Sequence, residues 1–360
     1  IKALIINNYS GFLINLAMRK TLLLLLSSLI TYSSICQEGN NAISVQKNRI
    51  VFYNVENFFD PYVDSTKTYN EFTYDGNLRW TYKKYEKKRN DIYKTLVAIS
   101  EWKPLTVIAL AEIENYHVLH ELITKTPLKY ENYQIVHFES EDFRGIEIGV
   151  IYNADLFRLL YSEAIKVVAP NDTSYKTRDI IYLKGLIETD TIHLFFNHWT
   201  SRYRGLLESK DYRLIAAKRL KQSVDSISFL NRNAMILCMG DFNDNPTDKS
   251  IKHLTNAVSG SLKLLTFSNK NKDVKGTLKY QSKWSYFDQA MVSETLTVSD
   301  SSLVVLGNKT TIFDAGFLLE KDKKYLGVEP FRTNVGYKYN GGISDHLPIY
   351  VDIIKSESQR

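Results

Sequence analysis

Residues 239–246 read MGDFNDNP and follow the short apolar run AMILC at residues 234–238. A short apolar run that ends in turn residues predicts a buried strand, which here delivers Asp241 and Asn243 at its carboxyl end. Side chains two positions apart on an extended backbone point to the same side, so this pair offers a carboxylate and an amide to one reacting group. The octapeptide alone is also compatible with an ordinary polar corner, and its interpretation therefore depends on the rest of the chain.

The composition is that of a globular protein. The chain has 360 residues, of which 44% are hydrophobic and 24% are charged, so it is long enough to bury a sizeable core. The 24 tyrosines and 17 phenylalanines favour a strand-rich protein. We find no internal repeat, heptad pattern or long linker, which favours one large domain.

The amino-terminal residues have the pattern of an export signal. Met18, Arg19 and Lys20 precede an apolar run at residues 21–30 that is too short to span a bilayer well. We predict an upstream extension and a secretory signal peptide at residues 1–36, a polar leader at 37–48 and a single domain at 49–356. The mature protein is expected to be secreted or periplasmic without a transmembrane span. Lipid attachment at Cys36 is the minor alternative, because Ile35 is bulkier than the residue that usually precedes such sites.

Charge and cysteine content limit the partners and the compartment. Removal of residues 1–36 takes away three basic residues and no acidic one, so the formal net charge falls from +6 to +3. A mildly basic protein suits a phosphate-bearing substrate but does not require nucleic acid, because non-specific DNA affinity comes from clustered Lys and Arg. Cys238 would remain alone on a core strand, so no intramolecular disulfide is expected.

Hydrophobic periodicity predicts alternating strands and helices. Strands are predicted at residues 49–53, 105–111, 133–138, 146–152, 164–168, 180–187, 192–196, 234–238, 285–292, 303–306 and 347–354. Helices are predicted at residues 80–100, through Leu119 and Leu122, and at residues 213–228. The basic residues of the first helix are expected to face solvent rather than a phosphate backbone, and they are Lys83, Lys84, Lys87, Lys88 and Arg89. The pattern favours one α/β domain with two packed sheets and outer helices.

Polar residues collect where the predicted strands end. They are Asn54, Glu56, Glu112, Asn197, His198, Asp241, Asn243, Asp288, Asp345 and His346. Carboxylates and amides without thiolates are the ligands of a hard divalent cation such as Mg²⁺ or Mn²⁺. The two histidines have possible acidic partners, as general acid–base chemistry near neutral pH requires.

Seven stretches together carry a resemblance to a known family. They read FYNVENFFD at 52–60, AEIEN at 111–115, GIEIGV at 145–150, NHWTSR at 197–202, GDFND at 240–244, WSYFD at 284–288 and GISDHLP at 342–348. In this order they resemble the motifs of the endonuclease/exonuclease/phosphatase superfamily, and within it a group of exported bacterial nucleases and phosphoesterases. The resemblance implies a DNase I-like four-layer α/β sandwich, with two packed mixed β-sheets flanked by helices.

The resemblance also implies a metal site. Glu112 matches the principal ligand of Mg²⁺ or Mn²⁺, with Asn54 and Glu56 nearby and Asp345 contributing to the same or a second position. Glu114 is a rival ligand on the same strand face, but the motif register favours Glu112. Such a metal would bind a nonbridging phosphate oxygen and offset charge that grows in the transition state.

The remaining motif residues receive catalytic roles by similarity. Asp288 is expected to hold His346, and this pair would orient or activate the attacking water or bind the phosphate. Asp241 would orient the water or assist proton transfer, and Asn243 would donate to phosphoryl oxygens. His198 matches a second histidine of the DNase I-like arrangement that protonates the leaving oxygen.

Substrate contacts are predicted beside these motifs. Asn197 and the arginines Arg144, Arg178 and Arg202 are the chosen residues, because guanidinium groups suit bidentate phosphate recognition. Arg204 and Arg332 also lie beside motifs. Aromatic residues that could stack on bases are Tyr62, Tyr69, Trp80, Tyr203 and Tyr337.

Three functions remain open. The leading interpretation is a metal-dependent phosphodiesterase that hydrolyses DNA or RNA as an endonuclease. The alternatives are a phosphoesterase for small or lipid-linked phosphates, of the inositol phosphate or sphingomyelin type, and a non-catalytic binding protein on the same scaffold. We expect a monomer with no stable protein partner. Specificity is expected in the loops at residues 61–79, 259–283 and 309–335.

Overall fold

The computed structural model describes residues 46–62, 71–170, 172, 174–256 and 260–356. The predicted extension, signal peptide and most of the leader lie outside these residues, as does Tyr69. Within these ranges, no helix combines the length and the apolar character that crossing a bilayer requires.

Helices and strands alternate along the chain. The helices are α1 (Tyr82–Ser100), α2 (Tyr116–Thr124), α3 (Leu206–Leu230) and α4 (Lys249–Thr255). The strands are β1 (Asn48–Phe58), β2 (Val107–Ile113), β3 (Tyr133–His137), β4 (Glu147–Asn153), β5 (Arg158–Ile165), β6 (Ile180–Ile187), β7 (Asp190–His198), β8 (Met235–Asp241), β9 (Lys263–Leu264), β10 (Thr266–Ser268), β11 (Leu278–Tyr280), β12 (Lys283–Ser285), β13 (Asp288–Val292), β14 (Leu303–Val305), β15 (Lys309–Ile312), β16 (Leu319–Lys321), β17 (Val328–Pro330), β18 (Asn334–Val335), β19 (Lys338–Tyr339) and β20 (Ile349–Lys355).

Two mixed sheets form the centre of the fold. The first has the order β10-β15-β20-β1-β2-β4-β3, with β14 also paired to β20, and the second has the order β5-β6-β7-β8-β13-β9. The pairs β1–β2 and β7–β8 are parallel, whereas β2–β4 and β8–β13 are antiparallel. The other strands form the hairpins β11–β12, β16–β17 and β18–β19.

The side chains of β7 alternate between two hydrophobic cores. Leu194 and Phe196 belong to the large core that also contains residues of the first sheet, whereas Phe195 packs with residues of α3 and α4. This alternation follows from the period of two along a strand. Helices α1 and α2 bury their apolar faces in the large core, beside the first sheet. The order helix, sheet, sheet, helix confirms the predicted four-layer α/β sandwich.

The bounds of the edge strand β5 are predicted poorly from the pattern of hydrophobic residues. The sequence predicts a strand at residues 164–168, whereas the structure has Arg158–Ile165. Most residues of β5 are partly or fully exposed, Tyr161 among them, so the strand lacks the apolar alternation of a half-buried one. Backbone pairing with β6 forms it instead.

Helix α1 buries two of the basic residues that were predicted to face solvent. Tyr85, Ile92 and Leu96 face the core as predicted. The prediction is wrong for Lys88 and Arg89: Arg89 donates to Glu121, and Lys88 is 2% exposed. Because a buried charge needs partners, these two side chains join separate parts of the fold.

The buried ammonium of Lys88 has three acceptors. Its Nζ donates to Glu56 O at 2.6 Å, to Thr333 Oγ1 at 2.5 Å and to Ile343 O at 3.0 Å. These acceptors come from β1 and from the segment after β17. Lys88 therefore holds that segment against the end of β1.

Replacing Lys88 by Met is expected to lower the free energy of unfolding by about 3 kcal/mol, because three buried acceptors lose their donor and buried Glu56 loses a nearby cation. Urea unfolding of the purified protein measures this change. Lys83→Met is the matched control: Lys83 is an exposed basic residue of the same helix, so a change within about 0.5 kcal/mol is expected. Equal losses in the two variants would contradict a structural role for Lys88.

Candidate active site

Three neighbouring strands of the second sheet bring a histidine and two aspartates together. His198 of β7 is paired with Asp241 of β8, and Asp241 with Asp288 of β13. Gly240 faces Asn197 in the same ladder, where a Cβ would lie 2.2 Å from Asn197 O. The glycine therefore permits the close approach of β7 and β8 just before the site.

The first sheet supplies Asn54 and Glu112. Asn54 lies on β1, and Glu112 lies on β2 where the register shifts between Ala111 and Ile113. Glu112 has a φ of 62°, a left-handed conformation that is rare for residues other than glycine. Glu112 Oε2 accepts from Asn57 N at 3.0 Å, and Asn54 Nδ2 lies 3.4 Å from Oε1. The local irregularity thus directs the carboxylate of Glu112 toward Asn54.

A hydrogen bond between Asn54 and Asp241 joins the two sheets. Asn54 Nδ2 donates to Asp241 Oδ2 at 3.1 Å. The same oxygen lies 3.7 Å from His198 Nε2 and 3.7 Å from His346 Nε2. Asp241 is therefore the point where the groups from both sheets meet.

His346 is held as a charged imidazole by two aspartates. Its Nδ1 lies 2.7 Å from Asp288 Oδ2, which confirms the predicted contact. Burial opposes the charge, but the carboxylates of Asp288 and Asp241 outweigh it and hold the pKa of His346 well above its usual value. Burial raises the pKa of Asp241 to about 7, although His346 lowers it. Asp241 therefore exchanges a proton near neutral pH while His346 keeps its own.

His198 has the opposite charge state. Burial, with the nearby cations Arg178 and Arg144, holds its pKa well below the usual value. Its Nε2 lies 3.8 Å from Glu112 Oε1, and its Nδ1 is buried without a hydrogen-bond partner among the described residues. The two histidines thus flank Asp241 as one charged and one neutral ring.

Asn243 and Arg202 lie beside this group but have protein partners. Asn243 has a φ of 49°; its backbone N donates to Asp241 Oδ1 at 2.9 Å and its Nδ2 to Trp199 O at 3.1 Å. Arg202 Nε donates to Asn243 O at 2.7 Å, and its Nη2 to Asp244 and Asp248. One quarter of the Arg202 side chain is exposed. Arg202 therefore holds the turn after β8 and keeps a partly accessible edge.

The structure does not bring Asn197 or Arg178 to the surface of the site. Asn197 is fully buried, where its amide donates to backbone carbonyls and accepts from the Trp199 indole. Arg178 is 5% exposed and donates to Asp142 and to the carbonyls of His198 and Trp199. Both residues therefore position the end of β7 in this structure. Arg144 lies beside Asp142 with a partly exposed side chain.

Glu56 and Asp345 form a second acidic pair around Arg332. Arg332 Nη2 donates to Glu56 Oε1 at 3.2 Å and to Asp345 Oδ2 at 3.0 Å. Thr333 N donates to Glu56 Oε2 at 2.7 Å. Burial, reinforced by Asp345, raises the pKa of Glu56 to about 7 despite Arg332 and Lys88. In this structure these two predicted ligands are therefore the partners of an arginine.

The donor chemistry around Glu112 suits a hard divalent cation. Glu112 and Asp241 supply carboxylate oxygens on either side of Asn54 Nδ2, and 16% of the Glu112 side chain is exposed. Burial is the main cause that raises the pKa values of Asp241 and Glu56, and the neighbouring carboxylates of Asp288 and Asp345 raise them further. Asp241, Asp288 and His346 also offer ligand atoms within 4.8 Å of one another. We interpret that triplet as a proton-handling group, because the hydrogen bond to Asp288 already engages Nδ1 of His346.

Sequence reasoning missed several residues that shape the site. The sequence places Arg332 among the arginines beside the motifs but does not predict that it pairs with Glu56 and Asp345, and it predicts that Lys88 faces solvent. The backbone N–H of Asn57 and the carbonyl of Trp199 also hold site residues, within motifs that were recognised for their side chains. No local pattern predicts the pairing of Arg332 with Glu56, because the two residues are 276 positions apart in the sequence.

The predicted base-stacking aromatics differ in exposure. Tyr62, Tyr203 and Tyr337 are exposed, and Tyr203 is 96% exposed just after Arg202. Trp80 is fully buried, and its Nε1 donates to Phe59 O. The prediction that Trp80 could stack on bases is therefore wrong. Tyr69 lies outside the described residues.

Comparisons with known proteins agree with this fold. Residues 49–355 match the Endonuclease/Exonuclease/phosphatase family. Similar solved structures include an endonuclease/exonuclease/phosphatase family protein from Bacteroides thetaiotaomicron (14% identity, TM-score 0.55, covering 87% of this chain and 100% of that chain). Another is the human Nocturnin catalytic domain with bound sulfate (17% identity, TM-score 0.51, covering 86% of this chain and 95% of that chain). A third is a mannosyl-6-phosphatase from Bacteroides thetaiotaomicron (14% identity, TM-score 0.54, covering 85% of this chain and 99% of that chain). Identities this low show the fold alone. The comparison with curated proteins found no match.

Proposed function

The chain belongs to the Endonuclease/Exonuclease/phosphatase family, and from this premise we propose that it is a divalent-metal-dependent phosphodiesterase that cleaves nucleic acid as an endonuclease. The observation that carries the proposal is the position of Asp241, which lies between a charged and a neutral histidine and within hydrogen-bonding distance of Asn54. Such an arrangement combines a proton acceptor with a positively charged donor, and hydrolysis of a phosphate ester requires both.

Glu112 and Asn54 are the residues that would hold the cation. When bound, Mg²⁺ or Mn²⁺ supplies positive charge to a phosphate oxygen. Asp241 accepts a proton from the attacking water, because its pKa of about 7 lets it change protonation state at neutral pH. The imidazolium of His346 donates to a phosphate oxygen, and Asp288 fixes its orientation.

The role of His198 requires a change of charge. A neutral imidazole holds no spare proton for a leaving oxygen, so protonation of that oxygen requires the bound phosphate to raise the pKa of His198. Glu112 and Asp241 lie near its Nε2, and an approaching anion would add to their effect. Asn197 and Arg178 support this histidine through the backbone of the 197–199 segment rather than through the substrate.

Nucleic acid is proposed as the substrate because exposed Tyr62, Tyr203 and Tyr337 provide stacking surfaces. Arg202 and Arg144 are the candidate contacts to the phosphate backbone, since both are partly exposed. We also propose export of the chain as a monomer, with residues 1–36 removed. Mass spectrometry of the exported protein distinguishes cleavage after Cys36 from lipid attachment to it.

The second candidate is hydrolysis of a small or lipid-linked phosphate. A structurally similar protein is a mannosyl-6-phosphatase, so this scaffold also accommodates a sugar phosphate. A non-catalytic binding protein is the least supported alternative, because the chain retains Glu112, Asp241, Asp288 and His346 together.

A turnover panel tests the proposal. The purified chain is incubated with supercoiled plasmid, single-stranded RNA, bis-p-nitrophenyl phosphate, inositol phosphates and sphingomyelin, each with Mg²⁺, Mn²⁺ or EDTA. We expect nicking of the plasmid with metal and a loss of at least about 10³-fold in rate with EDTA, since the cation offsets transition-state charge. Turnover of only the small or lipid phosphates would replace the nuclease by the second candidate. Undiminished activity in EDTA would contradict metal dependence.

A further inference from the structure

Arg332 keeps part of its guanidinium available for a ligand. Its Nε and Nη2 contact Glu56 Oε1 at 3.3 and 3.2 Å, and Nη2 also contacts Asp345 Oδ2 at 3.0 Å. The side chain is nevertheless 43% exposed. Nη1 has no hydrogen-bond partner in the part of the chain that the structure describes. Two N–H donors therefore remain for a group that arrives from solvent.

The backbone around Arg332 is held on both sides. Its carbonyl accepts from Gly342 N at 3.2 Å and from Asn340 Nδ2 at 3.3 Å, and Ile343 N donates to Phe331 O at 2.6 Å. A Cβ at Gly342 would lie 2.1 Å from Phe331 O, so only glycine permits this approach. The guanidinium is thus presented from an ordered segment.

Each of the two carboxylates beside Arg332 already accepts from its guanidinium. Glu56 Oε1 accepts from Arg332, Glu56 Oε2 accepts from Thr333 N, and the ammonium of Lys88 lies on the carbonyl of Glu56. Asp345 accepts from the same guanidinium. A divalent ion that bridged Glu56 Oε1 and Asp345 Oδ2 would have to displace Arg332 from both oxygens, which would leave a guanidinium without these partners in a partly buried place.

We propose that Arg332 takes the place of a second cation beside Glu56 and Asp345 and that its Nη1 binds a nonbridging oxygen of the substrate phosphate. The inference rests on the proposed function and deepens it, because the same site then uses a single metal ion, at Glu112. Guanidinium groups match phosphate oxygens in geometry and stay charged at every physiological pH. Glu56 and Asp345 become the residues that orient Arg332.

Counting bound Mn²⁺ by electron paramagnetic resonance tests the first half of the proposal without turnover. We expect a single Mn²⁺ per chain in the wild type and in Glu56→Gln, and none in Glu112→Gln. Two ions in the wild type, or loss of an ion in Glu56→Gln, would overturn the assignment of Glu56 to Arg332.

Calorimetric titration of the Mg²⁺-loaded protein with inorganic phosphate tests the second half. Arg332→Gln is expected to weaken phosphate binding by about tenfold or more, because one charge-assisted hydrogen bond is lost. Arg332→Lys keeps the positive charge but loses the planar set of N–H donors, so we expect a phosphate affinity between those of the wild type and Arg332→Gln. Arg232→Gln, at an exposed position in the loop before β8, is the matched control and should bind phosphate like the wild type.

Equal phosphate affinity in the wild type and in a folded Arg332→Gln variant would overturn the proposal. Circular dichroism establishes whether each variant is folded. If Arg332→Gln does not fold, the test uses Arg332→Lys instead, and wild-type phosphate affinity in Arg332→Lys would then overturn the proposal. Neither measurement needs a cleavable substrate. If no substrate of the panel is cleaved while the Mn²⁺ count and the phosphate affinities change as expected, the proposed function fails and the role of Arg332 stands.

Discussion

Replacing Glu112 by Gln is expected to lower kcat/KM on the preferred substrate by about 10³-fold or more, because it removes the charged side chain that would hold the cation, and with it the charge that offsets the transition state. The amide keeps the size of the side chain and can still accept from Asn57 N, so the irregular end of β2 should persist. Steady-state kinetics at saturating Mg²⁺ measure the loss, and thermal unfolding of the metal-free protein measures the fold. A midpoint near that of the wild type is expected.

Glu114→Gln is the matched control for this variant. Glu114 directly follows the last residue of β2, and its Oε2 accepts from Asp60 N at 2.9 Å. The structure therefore assigns it to the loop after β1, and activity within a few-fold of the wild type is expected. If Glu114→Gln lost activity and Glu112→Gln kept it, the two neighbouring glutamates would have to exchange roles.

Replacing His346 by Gln is expected to lower kcat by about 10³-fold, since a positioned proton donor contributes about 10²–10⁴-fold to such reactions. The imidazolium lies between Asp288 and Asp241, and glutamine offers neither its charge nor its geometry. Because both carboxylates hold the pKa of His346 above its usual value, the wild type should stay active through neutral pH. Its rate should fall on the alkaline side, as the ring loses its proton, and this fall should be absent in the variant.

His193→Gln provides the control for a histidine in the same sheet. His193 lies on β7 five residues before His198, where its Nδ1 pairs with the Tyr182 hydroxyl. Burial lowers the pKa of His193 to about 4, so the ring is neutral and should not affect the neutral pH profile. If His193→Gln lost as much activity as His346→Gln, the loss in His346→Gln would be explained by general damage to the protein rather than by a missing proton donor.

The positions of the candidate-site carboxylates could be predicted because strand ends are local features. An apolar run followed by turn residues placed Asp241 and Asn243 at the carboxyl end of β8, and the motif order placed Asp288 next to His346. Strand pairing then brought these ends together, since neighbouring strands share a register. The layer order followed from the resemblance.

The partners of long charged side chains could not be predicted in the same way. Lys88 looked like an outer residue of an amphipathic helix, yet its ammonium contacts Thr333 and Ile343, more than two hundred positions away. Arg178 looked like a phosphate ligand, but its carbonyl acceptors at residues 198 and 199 exist only once β7 has formed. Such contacts depend on tertiary neighbours, on which the local pattern of one sequence carries no information.

Several site residues adopt a backbone conformation that most side chains avoid. Glu56, Asn57, Glu112 and Asn243 have φ between 49° and 62°, and such residues cost about 1 kcal/mol or more each. Glycine at Glu112 would relax the backbone and remove the carboxylate in one step. Selection for heat tolerance alone would therefore favour loss of the site, and directed evolution of this protein must include a screen for hydrolysis in every round.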